Sequence, residues 1–229
     1  MSFASRFHGS AATQYHRKGD IVHAEEEYRK AIAAGDNDPS RYLAFGVLLL
    51  QKGDIQEGID ILTKALAFPM DARTKATLRA NRALGYLLNG QSAKALAALE
   101  DLRENYPCAL VYQVLGYAYI KTEQYDKALP YCLEAVEYDD QDTVILDNLA
   151  QLYIALERWD EAQKTLDQGF AIRKKQADML YHQALCDLHR GDRAAALEHV
   201  KLAQTCPINA LNDVSRETLE RMEKELTAE

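Results

Sequence analysis

The chain has 229 residues, with 27 basic and 35 acidic side chains and a formal charge of -8. That length suits one large domain or two small ones, and the negative balance argues against nucleic acid, whose phosphates would be repelled. Apolar residues make up 48%, a globular rather than a disordered composition, and only 5 prolines and 11 glycines interrupt it, so long helices are permitted.

No apolar run approaches the ~20 residues of a membrane span; the most apolar stretch runs only from Phe45 to Leu50. Met1 to Gly9 lacks the basic and apolar parts of a secretory signal, so a cytoplasmic protein is expected. Cys108, Cys132, Cys186 and Cys206 form no C-x-x-C pair. They are expected to be reduced, small buried hydrophobes rather than metal ligands. The short basic run Arg173-Lys174-Lys175 suits a helix C-terminus.

Taken in chain order, the sequence repeats itself. Small residues recur at Ala24, Gly58, Ala95, Ala128, Ala162 and Ala196, with gaps of 34, 37, 33, 34 and 34 residues. Twelve residues before each stands another: Ala12, Gly46, Ala83, Gly116, Ala150 and Ala184. Three residues after those come Tyr15, Leu49, Tyr86, Tyr119, Tyr153 and then Asp187. Bulkier residues follow the first column: Tyr28, Leu62, Leu99, Cys132, Leu166 and Val200. Small side chains on two helices allow close approach, and the large ones fill the space beside them. Between the columns lie breaks at Lys18-Gly19-Asp20, Lys52-Gly53-Asp54, Asn89-Gly90-Gln91, Thr122-Glu123-Gln124, Glu157-Arg158-Trp159 and Arg190-Gly191-Asp192. A glycine there can take the left-handed conformation that ends a helix.

The pattern predicts six helix–turn–helix units, over about 5–38, 39–72, 76–108, 109–142, 143–176 and 177–210. Extra residues around Phe68-Pro69-Met70-Asp71-Ala72-Arg73 cause the 37-residue gap and predict a longer helix or a looser junction there. Asp187 in an apolar column predicts looser packing or a slip of phase in the sixth unit. A last helix is predicted over about 213–227, capped by Asn212-Asp213, with Val214, Leu219, Met222 and Leu226 as its apolar stripe. The segment 211–229 would cover the end of the stack.

These residues resemble the tetratricopeptide repeat, whose period is ~34 residues. The resemblance is closest at Leu115-Gly116-Tyr117-Ala118-Tyr119 with Tyr125-Asp126-Lys127-Ala128, and at Leu149-Ala150-Gln151-Leu152-Tyr153 with Trp159-Asp160-Glu161-Ala162. It implies an all-α fold, a right-handed α-solenoid with the first helix of each pair lining a concave groove. Carried over residue by residue, the groove positions are Leu43, Val47, Leu84, Leu87, Gln113, Tyr117, Asp147, Asn148, Gln151, Tyr181 and His182. The early part of that face is aliphatic and the later part polar, which suits an extended peptide or an amphipathic helix. The Lys/Asn/Asn/Lys/Arg clamp with which some members hold a heat-shock chaperone's C-terminal carboxylate is not matched: Asp178 and His182 fall where cations would stand. Asp147 and Asp178 favour a basic segment instead.

Catalytic chemistry finds little support. The chain has no H-E-x-x-H and no phosphate loop, and its six histidines lack metal-ligand spacing. The expectation is therefore a non-enzymatic scaffold or adaptor for a protein or peptide, with no cofactor, no metal, no nucleic acid and no membrane span. It would be a monomer or weak homo-oligomer. A chaperone for a secreted or aggregation-prone client, or a self-assembling scaffold, is the alternative.

Overall fold

The computed structural model describes residues 2–228. Among these residues there are thirteen helices and no strand: α1 Phe3–Arg17, α2 Ile21–Ala33, α3 Pro39–Lys52, α4 Ile55–Ala65, α5 Ala72–Leu88, α6 Ser92–Asn105, α7 Ala109–Lys121, α8 Tyr125–Tyr138, α9 Thr143–Ala155, α10 Trp159–Ile172, α11 Ala177–His189, α12 Arg193–Gln204 and α13 Arg216–Thr227. The chain divides into two compact units, Met1–Ala98 and Leu99–Glu229. None of the described helices is long and apolar enough to cross a membrane.

Local chemistry sets where the helices begin. Asp38 accepts from the Ser40 N–H ahead of Pro39, Asp71 from Thr74, Asp142 from Val144 and Ile145, and Asp192 from Ala195. Each satisfies an N–H that the first turn leaves without a helical acceptor. The turn inside each pair is equally uniform. Gly19, Gly53, Gly90 and Gly191 take positive φ between 71° and 90°. Glu123 and Glu157 take the same conformation at 56° and 58°, at the two breaks that lack glycine. The residue after each donates its N–H back to the carbonyl of Tyr15, Leu49, Tyr86, Tyr119, Tyr153 or Asp187, at 2.8 to 3.0 Å. That six-to-one bond closes a helix with its last carbonyl satisfied.

Both small columns are buried along the whole chain. In α3 and α4 the approach is closest: a Cβ on Gly46 would lie 2.6 Å from Leu62 Cγ, and one on Gly58 3.0 Å from the Gly46 carbonyl. At Gly116 the same substitution would meet Cys132 Sγ at 3.4 Å, an ordinary contact. The large residues fill the space beside these contacts, with Leu62, Leu99, Leu166 and Val200 fully buried. All four cysteines are free, and three are buried. Burial pushes the Cys132 thiol up to about 12 and the Cys186 thiol to about 11, which leaves both unreactive.

Three expectations are refined. The extra residues before α5 go into the helix, which at 17 residues is the longest of the described set. Asp187 causes no slip of phase, because Ala184 and Ala196 beside it are fully buried. Its own carboxylate is buried and accepts from Gln183 at 2.9 Å, Arg190 at 2.5 Å and His199 at 2.6 Å. The last helix starts at Arg216, capped by Ser215, rather than at Asn212-Asp213. Val214, Leu219 and Met222 still pack with Leu180, Ala184, Val200 and Ala203, so α13 covers the outer face of α11 and α12.

Ala128 is fully buried where α8 meets α7. Ala128→Leu should overpack this contact and destabilise the chain by roughly 1–3 kcal/mol. An unchanged urea midpoint would show that the small columns do not set the helix spacing.

Candidate functional site

The residues singled out from the sequence fall into the two units. Leu43 and Val47 on α3, with Leu84 and Leu87 on α5, belong to the first. All four are partly buried, at the margin of a core that includes Phe45, Leu49, Leu50 and Leu78. They supply an aliphatic rim and no polar group.

The other seven lie on α7, α9 and α11 of the second unit. Gln113 and Asn148 hold these helices together: Asn148 Nδ2 donates to the Gln113 carbonyl at 2.8 Å, and Gln113 Nε2 donates to Asp142 at 2.5 Å. Asn148 is only 6% exposed, and Asp147 and His182 are 7% and 2% exposed. Asp147 accepts from, or is ion-paired with, His182 Nδ1 at 2.8 Å. The expectation that these three line an open groove is therefore corrected: an amide, a carboxylate and an imidazole in these positions are used up between neighbouring helices.

Tyr117 and Gln151 meet a partner that the sequence did not point to. The segment between α12 and α13 returns across α11 and α9 to α7. There the Asp213 carboxylate accepts from Tyr117 Oη at 2.9 Å, Lys121 Nζ at 2.9 Å and Gln151 Nε2 at 2.6 Å. One residue to either side, Asn212 Nδ2 and the Val214 N–H both donate to Asp178, at 2.8 and 2.9 Å. Beside Asp213 lies a cavity of about 320 Å³, with Tyr181, Ile154 and Leu185 among its walls.

The electrostatics follow from this packing. Burial alone would raise the Asp213 pKa, but Lys121 and Tyr117 hold it below the usual carboxylate range. Asp178 is pushed up, by burial first and by the neighbouring Asp147 charge second. Burial also raises the Tyr117 phenol, reinforced by Asp213. Among the described residues no three His, Cys, Asp or Glu side chains converge as metal ligands.

Lys121 and Asp213 are the members of this constellation that sequence reasoning missed as ligand contacts. Lys121 stands four residues after Tyr117, on the same helix face, and was legible by spacing. Asp213 was not, because 96 residues separate it from Tyr117.

Burial alone would lower the His182 pKa, but the Asp147, Asp213 and Asp178 carboxylates outweigh it and raise it above 6.5. The folded state then binds the proton more tightly than the unfolded one. The stabilisation is complete below the unfolded value and is lost as pH rises through the folded one. As pH rises above about 6.5 the melting temperature should fall, and His182→Gln, which keeps a donor to Asp147, should flatten that slope. An unaltered slope in the variant would mean that folding does not shift the His182 pKa.

Comparison with known proteins places this geometry. A family model described as the fourth ARM domain of tetratricopeptide repeat protein 21 matches residues 111–227, just over half of the chain. A tetratricopeptide repeat model matches residues 81–107. The TPR repeat-containing protein YpiA of Bacillus subtilis (strain 168) is 28% identical over 109 residues, 48% of this chain and 25% of that protein. The chain thus spans about a quarter of the length of this curated relative. Among solved structures, that of the APC/C hetero-tetramer Cut9–Hcn1 has a TM-score of 0.75 at 15% identity, covering 98% of this chain and 43% of that one. TTC0263, a thermophilic TPR protein of Thermus thermophilus, has a TM-score of 0.70 at 19% identity, covering 82% and 98%. PilW, a type IV pilus biogenesis factor, has a TM-score of 0.70 at 16% identity, covering 97% and 100%. At these identities the structural likeness is one of fold, an all-α helical repeat solenoid. With the repeated columns and the match over residues 111–227, it identifies the chain as a member of the tetratricopeptide repeat family.

Proposed function

We propose that the chain is a protein-interaction scaffold whose first helices hold a peptide segment or a helix of a partner, and that it carries out no covalent chemistry of its own. One observation carries this reading. The face made by α7, α9 and α11 already holds a stretch of irregular chain, at Asn212, Asp213 and Val214. Laying a segment of chain across successive helices in this way is how a helical groove binds a peptide. The first unit offers the apolar counterpart in Leu43, Val47, Leu84 and Leu87, which are aliphatic, partly accessible and suited to anchoring. The shifted titratable groups around Asp213 answer one another in donor–acceptor pairs, the arrangement of a docking contact rather than of a poised acid or base.

The test is affinity capture with the full chain from the source cell's lysate, wild type beside Leu84→Glu. A partner should be retained by the wild type and weakened about tenfold or more by Leu84→Glu, the range of an anchor residue at the centre of an interface. The melting temperature of the variant should stay close to that of the wild type. Equal capture by both chains would remove the first unit's apolar rim from the interface. An unfolded variant would show that Leu84 is core.

A further inference from the structure

In a helical repeat each unit touches mainly its neighbours in sequence. The segment between α12 and α13 departs from that rule. Asp213 bonds to groups 96, 92 and 62 residues away, on α7 and α9, while Asn212 and Val214 bond to Asp178 on α11. The segment has no helix or strand of its own; a turn from Asn209 to Asn212 is its internal support. It is held across the three helices as a separate peptide would be, at a side-chain carboxylate and at a main-chain N–H. We propose that residues 209–213 are a resident occupant of a peptide seat, and that the seat formed by Tyr117, Lys121 and Gln151 takes in their place an acidic segment of another protein. This rests on the reading of the chain as a peptide-binding scaffold.

The chemistry of the seat specifies the incoming group. An ammonium, a phenol and a carboxamide N–H converge within 2.6 to 2.9 Å on one carboxylate. Charge-assisted bonds of this kind are about twice as strong as neutral ones. Withdrawing Asp213 leaves a cation and two donors at a partly buried site, and only an acceptor with negative charge restores all three. A neutral or basic segment leaves them unmet, so the earlier expectation of a basic ligand, drawn from Asp147 and Asp178, is reversed: Asp147 is paired with His182, and Asp178 receives main-chain and amide N–H groups.

The resident uses only part of the seat. The cavity of about 320 Å³ beside Asp213 is lined by Ile120, Glu123, Tyr125, Ile154, Tyr181 and Leu185. An incoming acidic segment with a neighbouring apolar side chain buries that side chain there, a contact the resident does not make. Ile208 and Val214 mark the limits of the exchange. Both pack with the cluster of Leu219 and Met222 and stay there, so residues 209–213 are released while α13 keeps its place.

The probe is a labelled synthetic peptide of residues 207–215, with a neutral version carrying Asn at the Asp213 position. In fluorescence anisotropy the full chain carrying Asp213→Ala should bind the acidic peptide about tenfold or more tightly than the wild-type chain does, and about tenfold more tightly than it binds the neutral peptide. Adding Lys121→Met should abolish that binding. Equal binding by the two chains, or equal binding of the two peptides, would overturn the proposal. So would a dimer of the Asp213→Ala chain in light scattering, because the seat would then serve a second copy. If circular dichroism shows that Asp213→Ala does not fold, hydrogen exchange on the wild-type chain decides. Exchange across 209–213 should quicken with excess acidic peptide and not with the neutral one; no change would make the segment a fixed strap. Leu84→Glu lies in the other unit and should leave these readouts unaltered, so failure of the exchange is distinguishable from failure of partner capture.

Discussion

The close approach of two helices at small side chains is the constraint on which the remaining structure depends. In α3 and α4, Gly46 and Gly58 face each other so tightly that a single added carbon at either would lie within 3.0 Å of its neighbour. Glycine in a helix interior ordinarily costs about 1 kcal/mol relative to alanine. It is tolerated here because the backbones meet where a methyl would stand, and Leu50 and Leu62 fill the flanks completely. The same columns, with alanine in most places, carry the pairing through α12.

Uniform pairing has a consequence for function. With every pair closed by the same left-handed turn, the first helices within a unit repeat in register, and groups one repeat apart in sequence lie on adjacent helices. Asn148 reaches the Gln113 carbonyl 35 residues earlier, and His182 reaches Asp147, also 35 residues earlier. Part of the polar lining of the second unit is therefore spent on fixing helices to one another. What remains directed outward, Tyr117, Lys121 and Gln151, converges on one carboxylate. Rigid helices thus position a small set of donors, while the segment they hold is irregular and supported chiefly by side chains.

The period of the small residues made the helix pairs and their turns legible, because burial and close approach demand particular residue sizes at fixed spacing. Even Glu123 and Glu157 occupy the left-handed positions that the glycine spacing marks. Asp187 was read as a flaw because its type is polar; donors from α11, its C-cap Arg190 and α12 satisfy it, and a column read from one helix does not show them. The candidate site was legible only in part. Tyr117 and Gln151 lie on α7 and α9, and the sequence carried no sign that the chain itself would return to them. Asn212-Asp213 has the composition of a helix cap, and a local rule assigned it that role. Ser215 is an equally good cap three residues on, which frees Asp213 for a contact 96 residues away. Short-range preferences are degenerate in this way, and tertiary contacts choose among them.

The claim that backbone approach, rather than helix propensity, dictates the small columns is tested most directly by urea unfolding of three glycine-to-alanine variants. Gly46→Ala and Gly58→Ala should both destabilise the chain, reversing the gain of about 1 kcal/mol that propensity alone would give. Gly116→Ala, whose new carbon would meet only ordinary contacts, should be neutral or stabilising. Stabilisation by all three would contradict the account, because the glycines would then be replaceable and the helix spacing set by something else.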